Sequence, residues 1–244
     1  MDSPFKELVV VTYNIRHGRG RDDVQDIDRT RLVLEQADAQ LIGLQEVDCC
    51  NPWRSHNVDQ SAYLASSLSM QHHFAPARTE PAPFGNTVLS RYPVLKTDVI
   101  HLPRKGTAED RSAAVAEVLI DDEHLTFVSV HLGLSGEERL EHAAIIVDYL
   151  TQKDGPIILV GDLNEQPGGA AYQKISAVFA DAAAQCGREH PTFPYHSPTG
   201  EANVRIDYVF ISSGLEAVFA ETVPVWASDH LPVRAVLRLT KKGG

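Results

Sequence analysis

The sequence predicts an α/β protein with two β-sheets. Three observations carry that expectation: short aliphatic runs, amphipathic helical patterns after two of them, and a polar residue ending each run. Leu8-Val9-Val10-Val11-Thr12-Tyr13 reads as a buried strand that ends in Asn14. Asp28 is a plausible N-cap for a helix through Arg31, Leu32, Leu34 and Glu35. Gln40-Leu41-Ile42-Gly43-Leu44 then forms a second strand, ending in Gln45-Glu46. The pattern repeats further on. Leu125 through Val130 ends in His131, and Ser135 with Glu138 makes a capping box. That box opens a helix with Leu140, Ala143, Ala144, Val147 and Leu150 on one face. Ile157-Ile158-Leu159-Val160 follows and ends in Gly161-Asp162-Leu163-Asn164. Two β-α-β halves thus set Asn14, Glu46, His131, Asp162 and Asn164 at strand C-termini, where open α/β sheets bind ligands.

Antiparallel strands are expected between and after the halves: Asn86 to Ser90, Val94 to Leu102, Ser112 to Ile120, Val204 to Ile211, Ala217 to Val225 and His230 to Leu239. The stretches Asn51 to Val58, Arg78 to Phe84 and Glu189 to Glu201 carry the Pro, His and Gly of surface loops. No low-complexity linker interrupts the chain, so one domain over residues 1–244 is the economical reading.

The 244 residues, 43% hydrophobic and 23% charged, suit a globular protein with a substantial core. No apolar run is long enough to span a bilayer. Met1 to Glu7 shows no basic segment followed by an apolar one, and Cys49, Cys50 and Cys186 make no disulfide framework, so a reducing cytoplasm is expected. The net charge of −11 disfavours a long polyanion as partner unless a local basic patch offsets it. One such local exception is Arg16-His17-Gly18-Arg19-Gly20-Arg21, which is either a phosphate contact or a solvated loop balanced by Asp22, Asp23 and Asp26.

Asp162 and Asn164 are two residues apart at a strand end. They read either as an Asx-turn or as a site in which a carboxylate handles a metal or proton while the carboxamide holds a phosphoryl oxygen. Asp207 lies within an apolar stretch, where an unpartnered carboxylate is costly. Ser228-Asp229-His230 sets an acid beside an imidazole, the raw material of acid–base chemistry.

Tyr13-Asn14-Ile15, Gln45-Glu46, Val130-His131-Leu132, Gly161-Asp162-Leu163-Asn164, Arg205-Ile206-Asp207-Tyr208 and Ser228-Asp229-His230 occur in this order. From Val9 to Leu239 the chain therefore resembles the endonuclease/exonuclease/phosphatase superfamily, also called the deoxyribonuclease I-like fold. The resemblance implies a four-layer α/β sandwich of two packed mixed sheets flanked by helices, and metal-dependent cleavage of a phosphoester. It implies Glu46 as main metal ligand, helped by Asn14 and Asp229, with Mg²⁺ as the ion and Mn²⁺ as a substitute. Asp162 would orient or deprotonate water, Asn164 would hold a phosphoryl oxygen, and His131 would donate to the phosphoryl oxygens. His230, oriented by Asp207, would be base or electrostatic stabiliser, and which of Asp162 and His230 takes the proton stays open. Arg111 is a further phosphate donor or a surface arginine, and Asn86 a candidate of the same kind. Asn14 would also lie close to the phosphate.

Members of that superfamily act on many substrates. Abasic-site endonucleases carry an acid two residues after the first Asn, where this chain has Arg16, and an aromatic where it has Val204. With the acidic net charge, this favours a small phosphodiester or phosphomonoester. A nuclease acting on DNA or RNA is the alternative, and a non-catalytic binding module is a third. No HExxH or paired Cys/His spacing points to zinc.

Overall fold

The computed structural model describes residues 7–106 and 108–240. The N-terminal stretch read for a leader lies, apart from Glu7, outside the described residues. In chain order the strands and helices are β1 Glu7–Asn14, α1 Ile27–Ala37, β2 Leu41–Asp48, α2 Gln60–Ser67, β3 Gln71–Arg78, β4 Phe84–Ser90, β5 Val94–Leu102, β6 Arg111–Ile120 and β7 Glu123–His131. They continue with α3 Gly136–Leu150, β8 Ile157–Asp162, α4 Ala170–Ser176, β9 Ala180–Asp181, α5 Ala182–Gln185, β10 Asp207–Ile211, β11 Leu215–Thr222 and β12 Val233–Leu239.

The strands form two six-stranded mixed sheets, in the orders β11-β12-β1-β2-β4-β3 and β5-β6-β7-β8-β10-β9. Each contains one parallel pair of a β-α-β unit, β1 with β2 and β7 with β8. Both faces of these strands are covered, which is why they read as continuous aliphatic runs. Val10, Leu41 and Val88 of the first sheet pack on Ala116, Phe127 and Val160 of the second. A second apolar layer joins the second sheet to α3 and α4 through Val128, Leu159, Ile146 and Ile175. A third joins the first sheet to α1 and α2 through Val11, Ile42, Leu34 and Leu64. The result is a four-layer α/β sandwich. No helix among the described residues is long and apolar enough to cross a membrane.

The local signals mostly carry through, with several corrections. The Ser135–Glu138 capping box forms in both directions. The cap of α1 is Asp26 rather than Asp28; its carboxylate accepts from the Asp28 backbone N–H. The strand expected from Val204 starts only at Asp207, because Thr192 Oγ1 accepts from the backbone N–H groups of Ile206 and Asp207 and ends the ladder there. Similarly, β12 starts at Val233 and β11 spans Leu215–Thr222, so His230 lies in the loop before β12. β2 runs on through Gln45 and Glu46 to Asp48. The stretch from Arg78 to Phe84 is a loop only between those residues, which end β3 and begin β4. β3 itself, with Gln-His-His at its start, carries no alternating signal.

Candidate active site

Register puts three of the expected polar residues in one row. On the second sheet His131 of β7 pairs with Asp162 of β8, and Asp162 pairs with Asp207 of β10. All three side chains are buried. Gly161 permits this, since a Cβ there would come within 1.9 Å of the Val130 carbonyl oxygen, at a φ of +150°. His230 then enters from the loop before β12. Its Nδ1 lies 2.9 Å from Asp207 Oδ2, and its Nε2 lies 3.6 Å from Asp162 Oδ2. The imidazole therefore stands between two carboxylates. Asp162 Oδ1 accepts the Asn164 backbone N–H at 2.7 Å, the Asx-turn geometry that the local sequence offered. The Asn164 amide donates to Leu132 O and lies 3.0 Å from His131 Nε2, so it holds His131 in place.

The first sheet contributes Asn14 and Glu46. The Asn14 amide donates to Glu46 Oε1 and to Asp162 Oδ2, each at 3.1 Å, and thus ties the ends of the two sheets together. Its oxygen accepts the Arg16 backbone N–H at 3.1 Å. Glu46 has φ +57° and sits where the β2–β4 register shifts between Leu44 and Val47. A bulge re-aims a side chain, and here it does so at the cost of a left-handed backbone. A small cavity beside Glu46 and His131 is lined further by Asn86 and Arg111. Asn86 spends its amide on Ser112 O. Arg111, only 6% exposed, pairs with Glu109 at 3.1 Å but leaves its Nε buried without a partner. Asp229 pairs with Arg16, whose Nε is 3.5 Å from it, and is still close enough to His230 and Glu46 to help raise the pKa of each.

These contacts set the charges. Burial alone would lower His230, but Asp207 and Asp162 more than reverse it and take its pKa up to about 10. Burial and the neighbouring Asp207 carboxylate push Asp162 up to about 7. His131 is held well below its usual value by burial and by the nearby cations Arg111 and His230. At neutral pH the site thus holds a cationic His230, a neutral His131 and an Asp162 near its midpoint. Burial also raises Glu46, opposed by the Asn14 amide.

Two groups bear on a metal. The ligand atoms of Asp162, Asp207 and His230 lie within 4.8 Å of one another, close enough to share a cation. There, however, the imidazolium already supplies the positive charge. Glu46 is different, a largely buried carboxylate with one amide donor and, among the described residues, no ion-pair partner. A hard divalent cation fits such an oxygen. Asn14 and Asp229 are the less prepared members of the expected set, since one turns its N–H groups to Glu46 and the other is paired with Arg16.

Sequence reasoning missed the groups that hold this cluster. Thr192 fixes the backbone at Asp207, and the Phe193 ring packs against His230 at 4.6 Å between centroids. Ser228 donates to the Asn14 carbonyl and accepts the His230 backbone N–H. Thr192 and Phe193 lie in an irregular loop, and only tertiary pairing with Val204 brings them to the site.

The same arrangement of elements is found in other proteins. A sequence model of the endonuclease/exonuclease/phosphatase family matches residues 11–230. An endonuclease/exonuclease/phosphatase from Beutenbergia cavernae is 26% identical; the match covers 96% of this chain and 72% of that one, with a TM-score of 0.74. A family protein from Bacteroides thetaiotaomicron is 18% identical over 98% of this chain and 100% of its own, with a TM-score of 0.81. A mannosyl-6-phosphatase from the same organism is 19% identical over 94% and 99%, with a TM-score of 0.78.

Proposed function

The chain belongs to the endonuclease/exonuclease/phosphatase family, and from that premise we propose that it is a divalent-metal-dependent hydrolase of a small phosphorylated substrate. The observation that carries this reading is His230 held between the buried carboxylates Asp207 and Asp162, beside an underpartnered Glu46. Asp162 takes the proton of the attacking water. Its raised carboxyl titrates near the working pH, where a general base is most effective. His230 is the poorer base because it is already protonated at neutral pH. It acts instead as a fixed positive charge that steadies the negative charge growing on the phosphoryl group. Asp207 keeps it charged and oriented.

His131, aligned by Asn164, donates to a phosphoryl oxygen, and Asn164 holds that oxygen as well once its amide releases the Leu132 carbonyl. Arg111 and Asn86 line the same cavity and complete the phosphate contacts. Glu46 would hold Mg²⁺, with Asn14 and Asp229 as further ligands once the Asn14 amide turns its oxygen inward. When bound, the cation would offset charge on the phosphoryl oxygens. The water oxygen forms the new P–O bond, the ester oxygen leaves in line, and no covalent enzyme intermediate is needed.

A small substrate is favoured over DNA or RNA by the net charge of −11. The test is hydrolysis of bis-p-nitrophenyl phosphate and a panel of sugar phosphates, nucleotides and oligonucleotides with Mg²⁺ or Mn²⁺. Activity that is lost in Asn164→Ala and His230→Ala supports the reading. A wild type inert across the panel, no different from those variants, sinks it. Persistent cleavage of oligonucleotides at low enzyme, lost in the same variants, would instead make it a nuclease.

A further inference from the structure

This acidic chain gathers arginines around one wall of the small cavity at the site. The cavity beside Glu46 and His131 is also lined by Phe84, and two guanidinium groups from just outside that lining share the ring. The central carbons of Arg54 and Arg78 each lie 4.9 Å from its centroid. Register accounts for the crowding. Phe84 of β4 pairs with Arg78 of β3 on one side and with Asp48 of β2 on the other. Asp48 is fully buried and binds Arg54 through both carboxylate oxygens, with Nε–Oδ2 at 2.9 Å. Arg54 is thereby delivered to the ring that Arg78 already touches.

Counter-charges cover only part of this group. Asp48 neutralises Arg54, and Glu109 neutralises Arg111. Among the described residues no carboxylate lies within ion-pair distance of Arg78, and its Nε is buried without an acceptor. The Arg111 Nε, in a side chain 6% exposed, lacks one too. The buried Nε atoms are closed to a ligand, but the Arg78 side chain as a whole is only half-buried and carries no counter-charge among the described residues. A guanidinium held over a ring uses its face there and leaves its terminal N–H groups for an anion, which phosphate matches in bidentate fashion.

We propose that Arg78, with Arg54 and Phe84, forms a second anion subsite that takes a second phosphoryl group of the substrate. The substrate therefore carries two phosphates, one placed for cleavage and one held by Arg78. The proposal rests on the phosphoester-hydrolase reading, but its test is a binding measurement that stands apart from turnover.

Titration calorimetry on the Asn164→Ala chain, in which hydrolysis does not consume the ligand, compares three pairs of probes. They are pyrophosphate against orthophosphate, fructose 1,6-bisphosphate against fructose 6-phosphate, and 5′-phosphorylated dithymidine against thymidine monophosphate. At least one pair is expected to favour its two-phosphate member by about tenfold, the scale of a charge-assisted contact. Adding Arg78→Ala should collapse that preference to about twofold or less, while Arg78→Lys retains part of it. If Arg78→Ala lowers the melting temperature sharply, Arg78→Gln carries the same comparison. The pair that responds tells a small bisphosphate from a nucleotide chain. A preference in no pair, or one that survives removal of the Arg78 charge, overturns the subsite. Failure of the hydrolase reading has a separate signature, an inert wild type across the substrate panel.

Discussion

The strand ends of the two sheets meet at the site but are built in opposite ways. On the second sheet, β7, β8 and β10 reach it in regular register, and His131, Asp162 and Asp207 stand in a row whose polar atoms satisfy one another and His230. On the first sheet, β2 and β4 are out of step around Glu46, and β3 and β4 are out of step between Pro76 and Arg78. There the side chains are left short of partners: Glu46 has one donor, and Arg78 keeps an unpaired Nε–H. A regular ladder fixes a network whose pKa values depend on its own members. An irregular one presents groups that wait for a ligand. On the proposed reading the proton chemistry belongs to the second sheet and the cation to Glu46 of the first, with phosphate contacts drawn from both.

Breaking the regular row has the largest expected effect. Asp162→Asn removes the base and an anionic neighbour of His230 at once, and kcat on a phosphodiester should fall by about 10³-fold or more. Asp207→Asn keeps the shape but leaves His230 with one carboxylate, so a fall of about 10²-fold is expected, together with a lower His230 pKa by NMR. On the first sheet, Glu46→Gln should weaken Mn²⁺ binding by about tenfold or more in calorimetry, with circular dichroism unchanged. Equal metal binding in wild type and Glu46→Gln would move the cation to the other sheet and dissolve the contrast.

The row should also write itself into the pH dependence. Activity is expected to rise as Asp162 ionises around about 7 and to fall as His230 loses its proton toward about 10. Stability in the absence of metal runs the other way. Asp162 is raised from 3.8, so the folded chain holds a proton that the unfolded chain has released, and stability falls as pH climbs from there toward about 7. His230 is raised from 6.5, so its contribution is complete below that value and is lost as pH rises through about 10. Both groups weaken the fold toward alkaline pH. Urea unfolding from pH 5 to 10 measures the slope, and His230→Gln should flatten its upper half. A wild type that is equally stable across that range would contradict the charged His230.

The same contrast explains what was legible in the sequence. His131 and Asp162 each end an aliphatic run, and a run with a polar terminus needs nothing beyond local pattern to be noticed. Asp207 was conspicuous because a carboxylate next to Tyr-Val-Phe-Ile demands a partner. Even there the partner, His230, was identified through resemblance and not through spacing. Glu46 could be placed at a strand end, but the bulge that turns it inward leaves no local mark. In the sequence Arg54 and Arg78 stand only within expected loops. Their meeting on Phe84 depends on the pairing of β2, β4 and β3, and β3 shows no periodicity from which that order follows.

The smallest expected effect concerns the packing that backs the row. The Phe193 ring lies 4.6 Å from the His230 ring, tilted by 42°, and makes no hydrogen bond to it. Phe193→Leu keeps apolar volume against His230 while removing the aromatic face, so both its contact energy and the attraction of the ring for the imidazolium are lost. Such pairs are worth about 0.5–1.5 kcal/mol, which corresponds to at most about a tenfold fall in kcat if the whole amount is felt in the transition state. Because the ring stabilises the charged imidazole, its removal should also move the alkaline limb of the activity profile to lower pH. Thr192→Val offers the comparison, since it loosens the Asp207 backbone without touching the ring. If Phe193→Leu cuts kcat but leaves the alkaline limb in place, the ring only packs, and the charge on His230 is the work of the two carboxylates alone.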